Sequence, residues 1–557
     1  MSCRLLLWLL VFVGALRAAA PQTIIYATQP NAYFDDHAAD IKKFADGFFF
    51  TIGSWDGVTK LDPAWIEKAR QNLTALRRAG VTENLLGVSF GEDAAWPSPE
   101  TLLPEDGAKH MAAQFAALGR LAKELGFRGV SIDIEYPYKR YSLDHPIWTY
   151  RDYTAGDLTR AAYQQGRRAM AALLDAFPEA VVMVLPGDLY RCRPIGRYYS
   201  FGLLHVMAER DAPGGFHLGS EYAYNTADPL STLATARFDD PAVAVLETKS
   251  VAAYWRRRCT IAPGMWPLHM VETGGKDYPV QPWSKEVAEL REHIALARGV
   301  AKRYMWSYSG NPMWYVHTPE IEARYGLKKQ DLKRPDIDIR DWQHLLADKT
   351  IPVAPKWQGV IDRVRKFDRG ELTPHQICDA FGAPASWWVL GLLGHPRKLP
   401  QFTAAEAVSR PIDRNIAYQG RDGAVRWFPI DMLDLRGLVQ CQYVFDWRAT
   451  DNASAHFATF IHSPMRRRAQ LAIGWDDVIV VRLGDKVVFD TRQSAQQIKG
   501  MLYLDKYRFE KYIPVTLEPG RTRVTITSIN YHGVWSFMFR LTDEQGVPFP
   551  DVRFGLE

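Results

Sequence analysis

From Thr23 to Trp314 the chain repeats one unit, a short apolar run followed by a longer stretch of mixed polarity. The runs are Thr23–Ala27, Gly47–Ile52, Asn84–Phe90, Gly129–Glu135, Val181–Leu185, Phe216–Tyr222, Leu268–Glu272 and Arg303–Tyr308. Their β-branched and aromatic content suits parallel strands covered on both faces. Between them Pro63–Arg78, Gly107–Leu125, Ala155–Phe177 and Ser284–Ala301 carry helical spacing, whereas 228–265 is less regular. Eight strand–helix units over this length predict an α/β fold, a TIM (β/α)8 barrel. A doubly wound sheet is the rival, but the glycine-rich phosphate turn it often carries is missing after the first run.

At 557 residues the chain exceeds what one core organises. Residues 316–383 read as an insertion and helical connector, with a helix over Lys356–Phe367. After 384 the texture becomes short strands separated by turns, among them Asp476–Leu483, Lys486–Asp490, Tyr512–Leu517, Arg523–Ser528 and Trp535–Leu541. That pattern predicts an all-β sandwich. The expected division is 1–20 as signal peptide, 21–315 as barrel, 316–383 as connector and 384–557 as accessory sandwich.

The N-terminus has Arg4, an apolar run from Leu5 to Leu16, and Ala18, Ala19 and Ala20. A basic start, a short apolar stretch and small residues make a secretory signal, too short for a comfortable membrane span. The mature protein is expected to be secreted or periplasmic, with no membrane association after cleavage. Cys192, Cys259, Cys378 and Cys441 are widely spaced; one bridge, Cys192 with Cys259, is conceivable, and four buried thiols is the preferred reading. The formal net charge of +5 is too weak and dispersed for nucleic acid. No metal-binding or nucleotide motif occurs, so neither metal nor cofactor is expected. Oligomeric state is left open. Aromatic residues reach 12%, and exposed flat rings suit the apolar face of a sugar.

Chemistry concentrates in the fourth run, Gly129-Val130-Ser131-Ile132-Asp133-Ile134-Glu135-Tyr136-Pro137. Strand alternation puts Ser131, Asp133 and Glu135 on one face, toward the barrel interior. Two carboxylates held close raise the pKa of one of them, which leaves a proton for a leaving group near neutral pH. The plainer alternative is a pair neutralised by Arg or Lys. The segment resembles the D-G-x-D-x-D-x-E signature, followed by Tyr-Pro, of the chitinase-like family 18 glycoside hydrolases. The resemblance implies Glu135 as proton donor and Asp133 as the group orienting a substrate N-acetyl that serves as nucleophile. Arg128 and Ser131 stand where the pattern has aspartates.

Glu272, in Val271-Glu272-Thr273-Gly274-Gly275, offers a second carboxylate. An acid on strand four and a nucleophile on strand seven resemble the large β-glucosidase-like clan; Glu272 is then nucleophile, and otherwise a substrate ligand. On the sixth run Glu221 or Tyr222 lines the cleft according to register, and Tyr222 or Tyr224 corresponds to the chitinase-like acetamido contact. Trp306 suits the floor under the reacting sugar, where the family also places a Trp. Tyr136, Trp55 and Asp188 complete the candidate cleft. Gly87-Val88-Ser89-Phe90-Gly91 fits a nucleophile elbow, but the prolines that follow deny it the required helix, which disfavours an esterase. The C-terminal region resembles the galactose-binding-like sandwiches of bacterial glycosidases, in Trp387–Gly391, 475–488, 513–520 and 533–537. The expected function is hydrolysis of O-glycosidic bonds in a carbohydrate substrate. The alternative is a non-catalytic, lectin-like barrel, disfavoured by retention of the acid.

Overall fold

The computed structural model describes residues 20–54, 58, 60–89, 105–134, 154–185, 187, 189–190, 194–221, 223, 228–265, 282–308, 314–315, 318–327, 338–445, 450–492, 509–533 and 535–557. Eight parallel strands close a barrel in sequential order: β1 Gln22–Thr28, β2 Gly47–Ser54, β3 Leu85–Ser89, β4 Gly129–Asp133, β5 Val181–Leu185, β6 Phe216–Ser220, β7 Thr260–Met265 and β8 Tyr304–Tyr308. The ring is sealed by β1 against β8, with Ile24 opposite Trp306 and Tyr26 opposite Tyr308. This is the (β/α)8 fold that the repeated unit predicts.

Period-two alternation sorts each strand's side chains. Ile25, Phe48, Phe50, Val130, Ile132, Val182, Val184 and Leu218 pack outward into the core shared with the helices. Ile24, Phe49, Leu85, Met183, Leu185, Ala262, Tyr304 and Trp306 form a separate cluster inside the barrel. Helices Pro63–Arg78, Glu105–Leu125, Ala155–Ala176, Pro194–Glu209 and Trp283–Val300 surround it. The first of these starts on a proline, with the Asp62 carboxylate accepting from the Ala64 amide, so an otherwise orphaned donor is satisfied.

The structure corrects the sequence reading at the seventh strand. That strand is Thr260–Met265, not Leu268–Glu272. Pro263 and Gly264 disguise it, because neither residue suits a strand interior on propensity alone. The irregular 228–265 stretch holds helices Pro229–Thr235, Asp240–Leu246 and Lys249–Arg258 before this strand. The Cys192–Cys259 pairing is also overturned: Cys259 is a buried free thiol, like Cys441, and Cys378 is buried as well.

After the barrel, helices Pro319–Tyr325, Ile339–Ala347, Gln358–Asp368 and Pro374–Ala380 lead to two large antiparallel sheets and a two-stranded ribbon, Tyr418–Gln419 with Ala424–Val425. The larger runs Phe428–Asp431, Ser386–Gly394, Ala453–Ser463, Gly520–Asn530, Val478–Leu483, Lys486–Asp490, and Arg553–Gly555 also pairs Ala453–Ser463. The smaller runs Leu438–Gln440, Ser536–Thr542, Arg467–Trp475, Lys511–Leu517. Trp387, Phe457, Val524 and Ile526 from one sheet meet Leu471, Ile473, Phe537 and Phe539 from the other, so the region is a β-sandwich. No helix among the described residues is long and apolar enough to cross a membrane.

Candidate active site

In a barrel of parallel strands, inward side chains at the C-terminal strand ends build the mouth where chemistry is done. Here those positions bring together Tyr26 of β1, Asp133 of β4, Tyr308 of β8 and Glu221, the residue after β6. The Tyr26 hydroxyl donates to Asp133 Oδ2 at 2.9 Å. Burial, then the charge and hydrogen bond of Asp133, then Tyr308 and Glu221, push the Tyr26 phenol well above its ordinary value. Tyr26 therefore stays protonated and donates. Two carboxylates, from β4 and from the end of β6, act on this one hydroxyl.

Rings line the same space. The Tyr26 ring lies 5.4 Å from Phe49, 5.8 Å from Trp306 and 5.5 Å from Tyr308. Trp306 is 1% exposed and belongs to the interior cluster, so it lies beneath the half-buried Tyr26, Tyr308, Asp133 and Glu221. Two glycines make room for this arrangement. A Cβ on Gly219 would come within 2.1 Å of Leu185 and 3.5 Å of Trp306 Nε1. One on Gly87 would meet Ser131 Oγ at 2.9 Å. Since Gly219 faces inward, residues 217, 219 and 221 share that side, which is the side of the cleft for Glu221.

The opposite end of the barrel has a different character. There Tyr304 donates to Glu83, with Arg303 4.0 Å from the same carboxylate. His217 is pushed down to about 3, chiefly by burial, and is therefore neutral. Polar groups at this end of such barrels serve stability. A cavity of about 270 Å³ opens at the same end, between Trp255, Lys302, Phe367 and Leu372.

Of the residues singled out from sequence, Asp133, Glu221 and Trp306 come together at the mouth. Glu135, Tyr136, Trp55, Asp188, Tyr222, Tyr224 and Glu272 lie outside the described residues. The true seventh strand ends at Met265, seven residues before Glu272, so strand position does not by itself bring Glu272 to the mouth. Sequence reasoning passed over Tyr26 and Tyr308. Both are inward residues near the ends of predicted strands, and that alternation was the available signal. Among the described residues no group of three or more His, Cys, Asp or Glu side chains is placed to hold a metal.

No family model matches the chain, and no curated protein matches it. Among solved structures, GH5_18 from Streptomyces cattleya in complex with GlcNAc is 14% identical, with 64% of this chain and 92% of that one covered, at a TM-score of 0.36. AmyP in complex with maltotriose is 10% identical over 92% of this chain and 97% of that one, at 0.30. A morphinone reductase variant in complex with tetrahydroNAD is 10% identical over 53% and 84%, at 0.27. Hydrolases and a reductase thus score alike, and likenesses this distant do not separate one chemistry from another.

Proposed function

We propose that the chain is an exported glycoside hydrolase that uses Glu135 as its general acid. One observation carries the reading: Asp133 and Glu221 converge on Tyr26 at the barrel mouth, over a floor of rings. Glycoside cleavage needs a proton for the leaving oxygen, a carboxylate for the oxocarbenium-like centre and a surface for the pyranose. Asp133 supplies a fixed negative charge two residues before Glu135, and such a neighbour raises the pKa of an acid that must keep its proton. Tyr26 holds the Asp133 carboxylate in one orientation. By the chitinase-like resemblance, Asp133 orients a substrate N-acetyl group. Where the substrate has none, Glu221 or Glu272 is the second carboxylate. The basic, apolar and small-residue start of the chain supports export.

The test is release of reducing ends from soluble starch, carboxymethyl-cellulose, mannan and chitin oligomers, by wild type and by Glu135→Gln. The expected result is release from at least one polymer, reduced by about 10²–10⁴-fold in the variant. Thermal-shift binding of the same sugar should survive the substitution. Full activity in Glu135→Gln removes the acid assignment. Binding without release by wild type favours the lectin-like barrel instead.

A further inference from the structure

The cavity of about 270 Å³ at the end of the barrel opposite the mouth plays no part in the chemistry proposed above. Val243, from helix Asp240–Leu246, with Ala252 and Trp255, from helix Lys249–Arg258, forms one wall. Phe367, Leu372 and Pro374 of the connector form the other. Gly370, at φ 76°, turns the chain at the end of helix Gln358–Asp368 and so brings Leu372 and Pro374 across. The space exceeds the ~150 Å³ that holds a benzene and falls short of the ~300–1,000 Å³ of a drug-sized ligand site. It suits one ring with a short substituent rather than an oligosaccharide.

Charge decides which substituent. The buried Asp240 carboxylate accepts from Trp255 Nε1 at 2.7 Å and from Arg237, and lies 3.2 Å from Lys302 Nζ. Burial opposes its ionisation, but Arg237 and Lys302 outweigh that and hold it down to about 2. Arg237 also donates to Asp368 at 3.1 Å and to the Val300 carbonyl at 3.4 Å. Both carboxylates on the cavity are therefore committed to protein donors. Two of the cations are not. Lys302 engages only Asp240 among the described residues, which leaves its three-donor ammonium partly unused. Arg256 is exposed, lines the same space and has neither ion pair nor hydrogen bond among the described residues. Asp240 and Asp368 against Arg237, Lys302 and Arg256 leave one positive charge in excess beside an apolar slot.

We propose that this cavity is a binding site for a small ring-bearing carboxylate, with its ring between Ala252 and Phe367 and its carboxylate on Arg256 and Lys302. A bare inorganic anion would leave the apolar walls unfilled, and a neutral ring would leave both cations uncompensated. The site is separate from the mouth and does not depend on the hydrolase reading.

The test titrates the full chain with benzoate by calorimetry, with benzamide as the uncharged control and acetate as the ringless one. Benzoate should saturate one site and bind about tenfold or more tightly than either control, the size of a charge-assisted hydrogen bond. Arg256→Gln should weaken benzoate about tenfold and leave benzamide within about twofold. Ala252→Phe fills the slot and should abolish binding of both. Photolysis of bound 4-azidobenzoate, followed by peptide mapping, should place the label in 240–256 or 364–374. Absence of saturable benzoate binding overturns the proposal. So does equal binding of benzamide, benzoate affinity unmoved by Arg256→Gln, or a label confined to other peptides. If Ala252→Phe is not recovered folded, Arg256→Gln and the label decide. Failure of the hydrolase reading appears separately, as full activity in Glu135→Gln or no release by wild type, and changes none of these outcomes.

Discussion

The hydroxyl of Tyr26, near the end of the first barrel strand, donates to the carboxylate of Asp133, at the end of the fourth, across 2.9 Å and 107 residues of sequence. No helix or turn imposes this contact. It exists because barrel closure brings the inward faces of β1 and β4 to one mouth.

Tyr26→Phe removes the donor and keeps the ring against Phe49, Trp306 and Tyr308. Asp133 is half-buried, so water replaces part of the lost bond, and the stability cost should be about 1 kcal/mol. The effect on catalysis should be larger, because the carboxylate loses its fixed orientation. A fall in kcat/KM of about 10–100-fold is expected, since a hydrogen bond to a charged group is worth about 1.5–3 kcal/mol. Steady-state kinetics beside a thermal melt separate the two.

Asp379 gives a pH dependence of unusual sign. Burial pushes its carboxyl from 3.8 up to about 6, against the Phe554 amide and the nearby Arg553, His375 and Arg363. Between those two values the folded chain binds more protons here than the unfolded chain. This group's contribution is therefore full below pH 3.8, is lost as pH rises toward 6, and is flat above. Asp379→Asn keeps an oxygen for the Phe554 amide and cannot ionise. Relative to wild type it should gain about 3 kcal/mol at pH 7.5, the size of a two-unit shift, and almost nothing at pH 3.5. Urea melts of both proteins at the two pH values check this; equal differences would refute it.

Two glycines should respond oppositely to alanine. At Gly129, the first residue of β4, a Cβ would lie 1.9 Å from the Val181 carbonyl oxygen, and backbone has no rotamer with which to retreat. Gly129→Ala should cost about 1–3 kcal/mol or more and spread β4 from β5. At the exposed Gly359, in helix Gln358–Asp368, a Cβ meets nothing within 4 Å. There alanine should add about 0.5–1 kcal/mol. Denaturation midpoints of the two variants should bracket wild type.

Much of the barrel was legible because its strands are covered on both sides. Val181–Leu185 could be read to the residue from five consecutive apolar side chains. The seventh strand was hidden by Pro263 and Gly264, which the closed ring tolerates although a propensity scale does not. Helix Pro194–Glu209 and the short helix Pro229–Thr235 lacked a clear polar face, because so much of each is buried that no period survives, and in Asp240–Leu246 the exposed positions Val245 and Leu246 are themselves apolar. At the mouth, Asp133 could be found from its neighbours in sequence. Tyr26 could not, because what distinguishes it is a partner on another strand. The same holds for Arg540 and Asp228, whose pairing depends on how two folded units meet.

The cysteines provide a last check on the packing. Cys259, Cys378 and Cys441 are buried thiols, and burial raises Cys259 to about 12 and Cys441 well above its usual value. Only the thiolate reacts appreciably with disulfide reagents or iodoacetamide, and neither thiol ionises near neutral pH inside the fold. At pH 8 the native protein should resist labelling at all three positions for hours. In 6 M guanidinium every one should be modified within minutes, because an unfolded cysteine returns to a pKa of about 8.5. Peptide mass spectrometry reads each site separately. Rapid native labelling at Cys441 would mean that the sandwich interior around Trp387 and Phe537 opens readily, and that this half of the chain is looser than its packing implies.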